Sequence, residues 1–159
     1  MKNDFQFLRN HIEQVCPLTE EEWIFVSSYF SLKTLKKHQF LIQENQFVEE
    51  EYLIVSGLVK SYEIDDKGKE HIIQFAREGY WVSDYYAYQF QKKSTLNIDC
   101  IEESTFYCLS LKNKDIIRNQ IHKMANFFYI KASRGYTYLQ LRVLSLMKDS
   151  VEYRYQKLI

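Results

Sequence analysis

Residues 40–111 read as a succession of short apolar runs, each closed by a glycine or by charged and amide side chains, and no other feature narrows the fold so far. Phe40-Leu41-Ile42 and Tyr52-Leu53-Ile54-Val55 have the length and bounds of buried strands. Gly57 follows, then Leu58–Ile64 with partial alternation. Asp65-Asp66-Lys67-Gly68-Lys69 is a hairpin turn in which Gly68 is free to take positive φ, and residues 70–75 form the return strand. Gly79 breaks the chain before Tyr80-Trp81-Val82; residues 84–93 read as a helical turn and loop, and two further strands fall near 96–101 and 105–111. Strands this short and evenly spaced predict a roll, barrel or sandwich. Thirteen Tyr and eleven Phe suit such strands.

Helical signals flank this region. The first thirty residues read as helix, with Thr19 and Glu22 spaced as a capping box and an acidic turn, Glu20-Glu21-Glu22, at the positive end of the helix dipole. A short helix starts at Lys112, and a long one runs from about His122 to Lys148 with no Pro and a single Gly. Phe128, Ala132, Tyr136, Leu139, Val143 and Leu146 form one apolar stripe; Phe127, Ile130, Thr137, Leu141 and Leu144 form a neighbouring one. Two stripes allow a helix to face its own domain and a partner helix together. At roughly 27 residues it runs about 40 Å, more than a small roll can cover, so the first stripe is the expected homodimer interface. The expected organisation is a helical segment over 1–30, a roll over 31–118, and the long helix with its short C-terminal extension over 119–159.

Charge is balanced overall and divided along the chain. Residues 1–110 hold 18 acidic and 11 basic side chains, whereas residues 111–159 hold 3 acidic and 10 basic ones. A basic end can meet nucleic acid, or it can dock on its own acidic domain; both readings are open at this point. No stretch is long and apolar enough to span a bilayer, and residues 1–11 lack the pattern of a signal peptide, so a cytoplasmic protein without membrane partners is expected. Cys16, Cys100 and Cys108 are too few and too scattered for a disulfide framework or a four-thiolate site, and buried free thiols are expected. The four His, at positions 11, 38, 71 and 122, show no ligand spacing, and no nucleophile elbow, phosphate loop or dinucleotide fingerprint is present. Neither metal nor enzymatic activity is expected.

The run Tyr52-Leu53-Ile54-Val55-Ser56-Gly57-Leu58-Val59, the hairpin Asp65-Asp66-Lys67-Gly68-Lys69-Glu70, and Phe75 followed by Gly79-Tyr80-Trp81-Val82 resemble the cyclic-nucleotide-binding β-roll. With the long helix, the chain resembles the catabolite-activator (Crp/Fnr) transcription regulators over residues 35–158, and Gly68-Lys69-Glu70-His71 and Val82-Ser83-Asp84-Tyr85-Tyr86 resemble their Bacteroidetes branch. The resemblance implies an α+β fold: a β-roll, also called a jelly roll, with N-terminal helices and a long C-terminal dimerisation helix. It also implies a winged helix-turn-helix after the long helix; Val151-Glu152-Tyr153-Arg154-Tyr155 resembles its lead-in. This sequence stops at Ile159, so DNA is expected to be met only through a C-terminal domain absent from this chain.

The resemblance further implies a ligand cassette, with Gly-Glu opening a short helix and Arg-Ser or Arg-Thr some ten residues on. Aligned without gaps, Ser83 and Asp84 stand for Gly-Glu, Ser94 and Thr95 stand at the second motif, and Lys93 lies one residue early. No Arg occurs between Arg77 and Arg118. A lysine lacks the bidentate fork that holds a phosphate, so cyclic AMP is not expected as a ligand and no cofactor is assigned. A pocket bounded by Ser83, Asp84, Tyr85, Tyr86, Lys93, Ser94 and Thr95, with Tyr80 and Tyr88 nearby, remains a candidate for another small-molecule effector; alternatively these aromatics fill the roll. The expected function is the sensor and dimerisation part of a transcription regulator, the alternative being a stand-alone small-molecule-binding or scaffolding module with no DNA role.

Overall fold

The computed structural model describes residues 2–159, and side chains from residue 5 onward. Two helices open the chain, α1 (Lys2–Glu13) and α2 (Glu20–Ser27). Eight strands follow: β1 (Ser31–Leu35), β2 (Phe40–Ile42), β3 (Glu50–Ser56), β4 (Leu58–Ile64), β5 (Glu70–Arg77), β6 (Trp81–Val82), β7 (Asn97–Cys100) and β8 (Ser104–Ser110), with the short helix α3 (Tyr85–Phe90) between β6 and β7. The chain closes with α4 (Leu111–Gln120), α5 (His122–Lys148) and α6 (Val151–Leu158).

The strands form two four-stranded antiparallel sheets, ordered β1-β8-β3-β6 and β2-β7-β4-β5. The pairs β1 with β8, β2 with β7, β3 with β6 and β4 with β5 are nested. That nesting is what results when one long antiparallel hairpin is rolled up, the topology of a jelly roll. The expected α+β fold is therefore the observed one. Only β1 falls outside the apolar runs read from the sequence; it is an edge strand, and Ser31 and Lys33 break its apolar character.

The unbroken apolar run Tyr52–Val55 follows from burial on both faces. Leu53 and Val55 join Tyr107 and Leu109 of β8 in a core roofed by Leu8, Ile12, Val26, Ile117, Met124 and Phe127 from the helices. Tyr52 and Ile54 point the other way and join Phe106, Cys108, Val59, Ile98 and Cys100 between the two sheets. All three cysteines are buried free thiols, and burial pushes the Cys108 thiol up to about 12. At Gly57 the turn from β3 into β4 runs against β8. Its φ is +109°, and an added Cβ would lie 2.6 Å from Ser104 Cα.

The capping box closes as expected. Glu22 N donates to Thr19 Oγ1 (3.2 Å), Thr19 N donates to Glu22 Oε1 (2.8 Å), and Lys123 of α5 adds an ion pair to Glu22 at 2.9 Å. Lys114 and Lys131 likewise pair with Glu51, so several cations of the basic C-terminal third dock on the acidic domain.

The long helix spans the limits expected of it, His122–Lys148, but its first stripe divides. Phe128 is 5% exposed and packs in the helix-roofed core against Phe127. Its place in the partner-facing stripe is corrected: the first two turns of α5 lie on the roll, where α4 and Lys114 cover that side of the helix. Ala132, Tyr136, Leu139, Val143 and Leu146 are exposed, as are Leu141, Leu144 and Met147. After Lys148 the chain turns at Ser150, whose Oγ accepts from Tyr153 N to cap α6, and α6 packs on the edge strand β5 through Tyr155 and Phe75, whose ring centroids lie 5.2 Å apart.

Candidate ligand cassette and its link to the long helix

β6 ends at Val82 and delivers Ser83 and Asp84 to the start of α3. Ser83 Oγ donates to the Glu50 carbonyl at 2.9 Å, fixing this segment to β3. Asp84 is the N-cap of α3, with Ala87 N donating to its Oδ1 at 3.1 Å. Its Oδ2 accepts from Thr95 N at 3.0 Å and from Thr95 Oγ1 at 3.3 Å. Ser94 Oγ lies 3.0 Å from the same oxygen and 2.7 Å from the Leu96 carbonyl; its single proton serves one of them at a time. Asp84 is only 3% exposed. The structure thus brings Asp84, Ser94 and Thr95 together, but into a closed knot in which the carboxylate is consumed by its own neighbours.

The other candidates lie apart from that knot. Lys93 is exposed and reaches over the Phe47 ring at 5.9 Å, because a bridge between residues 47 and 93 holds this loop outward. Tyr86 is 54% exposed on the outer side of α3, beside Phe90 and Lys92. The sequence-based pocket is corrected at these two positions: Tyr86 falls on the solvent side of α3, Lys93 lies over Phe47, and neither bonds to Asp84. Among the described residues no Lys or Arg lies within ion-pair distance of Asp84. A phosphate brought to about 4 Å from this carboxylate would meet roughly 4 kcal/mol of repulsion at an effective dielectric constant of 20.

Tyr88 is fully buried and its hydroxyl donates to the Leu109 carbonyl at 3.3 Å, so this ring fills the roll. Tyr85 turns instead toward α5, where Lys131 Nζ stands 5.3 Å from its ring centroid and 4.4 Å from that of Trp81. Lys131 also lies 2.5 Å from Glu51 Oε1, and Lys114 of α4 lies 2.9 Å from Glu51 Oε2. Glu51 has no exposed surface. Burial works against its charge, but Lys131 and Lys114 together outweigh that and hold the carboxyl below its ordinary value. One buried carboxylate thereby ties β3, α4 and α5 together beside the aromatic wall of α3. Sequence reasoning missed this cluster; Glu51 is one of three successive glutamates, and nothing local marks which of them is buried.

An open cleft of about 820 Å³ lies elsewhere, where Phe7 and His11 of α1 and Gln14 just after it face Gly57, Arg77 and Tyr155. His11 Nε2 accepts from Trp81 Nε1 at 3.0 Å beside it. Burial lowers the His11 pKa, with Lys131 and Arg134 adding to the shift, which fits the neutral ring that this bond requires. None of the cassette residues lines the cleft. Among the described residues no cluster of His, Cys, Asp and Glu is arranged to hold a metal ion, and no helix is long and apolar enough to cross a membrane.

A family model described as cyclic nucleotide-binding domain matches residues 32–120. No curated protein matches the chain. Solved structures similar to it include the catabolite activator protein of Thermus thermophilus, 17% identical over 80% of this chain and 61% of that one, with a TM-score of 0.63. The chain thus spans about three-fifths of that activator's length. The sensor domain of the transcriptional regulator DNR of Pseudomonas aeruginosa is 19% identical, covering 89% of this chain and 92% of that one, at a TM-score of 0.68. A cyclic nucleotide-binding domain from Methylobacillus flagellatus is 15% identical over 96% of this chain and 81% of that one, at 0.67. At these identities the likeness is one of fold.

Proposed function

The chain belongs to the cyclic nucleotide-binding domain family, and from that membership we propose that it is the sensor and dimerisation part of a Crp/Fnr-type transcription regulator whose nucleotide cassette has closed on itself. The observation that carries the reading is the contrast along α5. Its first two turns are buried on the roll by Met124, Phe127 and Phe128, while Tyr136, Leu139, Val143 and Leu146 continue the apolar stripe into solvent. A long helix with an uncovered apolar stripe is the form of a coiled-coil partner. In this reading two copies pair through that stripe, and DNA is met through a domain outside residues 1–159. An effector acts by shifting the pose of α5, which the Glu51 cluster ties to the roll. The protein works in the cytoplasm, and no catalysis, cofactor or metal is assigned to it.

The closed knot at Asp84 supports the absence of cyclic nucleotide binding, since a ribose hydroxyl and a ring phosphate would have to displace bonds the chain makes to itself. Light scattering at micromolar concentration tests the pairing. The expected result is a dimer that Leu139→Glu and Val143→Glu convert to a monomer; a monomeric parent protein refutes it. A rise in Tm with millimolar cyclic AMP would refute the closed cassette.

A further inference from the structure

Two arginines outside the cassette are held against one strand with no counter-ion among the described residues. Arg142 of α5 donates through Nη1 to the side-chain oxygen of Gln74, and Arg154 of α6 donates through Nη1 to the Ile72 carbonyl at 3.1 Å. Both acceptors are neutral. The Nε–H of each is buried with no acceptor from the protein, and among the described residues no carboxylate lies within ion-pair distance of either guanidinium. For Arg142, burial lowers the pKa and only the Tyr85 and Tyr80 hydroxyls oppose it. A guanidinium stays protonated in a protein, so two half-buried positive charges remain here uncompensated. Desolvated cations with free N–H groups are stabilised by an anion.

The two anchor residues flank the bulge at Ile73 on β5, so both guanidinium groups are fastened to one short stretch of the same edge strand. A carboxylate is planar and fills one guanidinium fork. A tetrahedral dianion has oxygens enough for two. Tyr80 and Tyr85, 38% and 42% exposed, stand on the Arg142 side and offer ring surface to whatever carries the anion. We propose that Arg142 and Arg154, with Gln74 beside them, form a binding site for the phosphoryl dianion of a small phosphate monoester, held between β5 and the α5–α6 corner. The site is separate from the Asp84 cassette and is built within one chain, so it stands whether or not the chain dimerises. Its occupation replaces the neutral Gln74 and Ile72 acceptors and so bears directly on the helices that leave the roll.

Calorimetric titration of the full chain with phenyl phosphate, at ionic strength held constant with sodium chloride, tests this. The expected result is saturable binding with Kd below about 1 mM, weakened at least tenfold in Arg142→Gln and in Arg154→Gln and changed less than twofold in Arg134→Gln, an exposed arginine on the same helix. Inorganic phosphate alone should bind through the same two arginines, more weakly, because it lacks the ring. In the unmutated protein, the arginine Nε–H resonances of residues 142 and 154 should shift on titration, which keeps the test valid should a variant fail to fold. Absence of saturable binding up to 10 mM, equal loss in Arg134→Gln, or unmoved Nε–H resonances would overturn the proposal.

Discussion

Glu51→Gln should be among the most damaging single substitutions in the molecule that leave its shape nearly unchanged. The side chain has no exposed surface and faces two ammonium groups, Lys131 at 2.5 Å and Lys114 at 2.9 Å. Removing one member of a buried ion cluster leaves the others without a counter-charge and costs about 3–5 kcal/mol. Here the lysines are 14% and 21% exposed, so part of their charge regains water, which places the expectation near 3 kcal/mol. For a domain of this size that is a fall in Tm of roughly 6–12 °C. Urea unfolding monitored by Trp fluorescence should show the midpoint move while the slope stays the same. Lys131→Met should cost less, because Glu51 keeps Lys114, and the double-mutant cycle between the two should give a coupling above about 1 kcal/mol. The same carboxyl sets a pH signature. Its folded pKa is depressed, so its contribution is present above the ordinary glutamate value of about 4.3 and is lost as pH falls through the folded value; Glu51→Gln should remove that acid-side loss. A destabilisation below 1 kcal/mol, or additive single variants, would refute the view that this cluster fastens α5 to the roll.

Three further expectations rest on single contacts. Gly57→Ala should destabilise by about 2–4 kcal/mol, since the residue sits at positive φ and its new methyl meets the β8 backbone at Ser104; equilibrium unfolding measures it. Stability should fall as pH drops from 7 toward 5, by at most about 1.4 kcal/mol per pH unit from His11, because its folded pKa lies below the unfolded value and the unfolded chain takes up the proton first. His11→Gln should flatten that slope. Thr19→Ala should cost about 1 kcal/mol through loss of the capping box, read as a lower Tm with the fold intact by circular dichroism.

Much of the architecture was legible because its signals are local. The glycine at 68 and the acidic turn before it specify the β4–β5 hairpin through backbone geometry alone. The absence of Pro and the apolar period of α5 specify its length, and Thr19 with Glu22 specifies where α2 begins. The cassette positions Asp84, Ser94 and Thr95 were legible as a group through the resemblance, which aligns them with two motifs about ten residues apart, and the structure brings them together. Their chemistry was not: whether the carboxylate faces a ligand or its own neighbours depends on how the loop closes.

The succession of strands along the chain, the length of the long helix and the missing arginine in the cassette were therefore determined by the sequence itself, each being a matter of residue type at short range. Tertiary structure alone decided that Phe128 belongs to the core and not to the partner-facing stripe, that Glu51 is the buried glutamate of its triplet, and that Arg142 and Arg154 converge on β5. Those outcomes join residues as far apart as Ile72 and Arg154, Gln74 and Arg142, or Glu51 and Lys131. Charge and packing act over a few ångströms in space, and a pattern of period two or 3.6 carries no information about which distant element will stand at that distance.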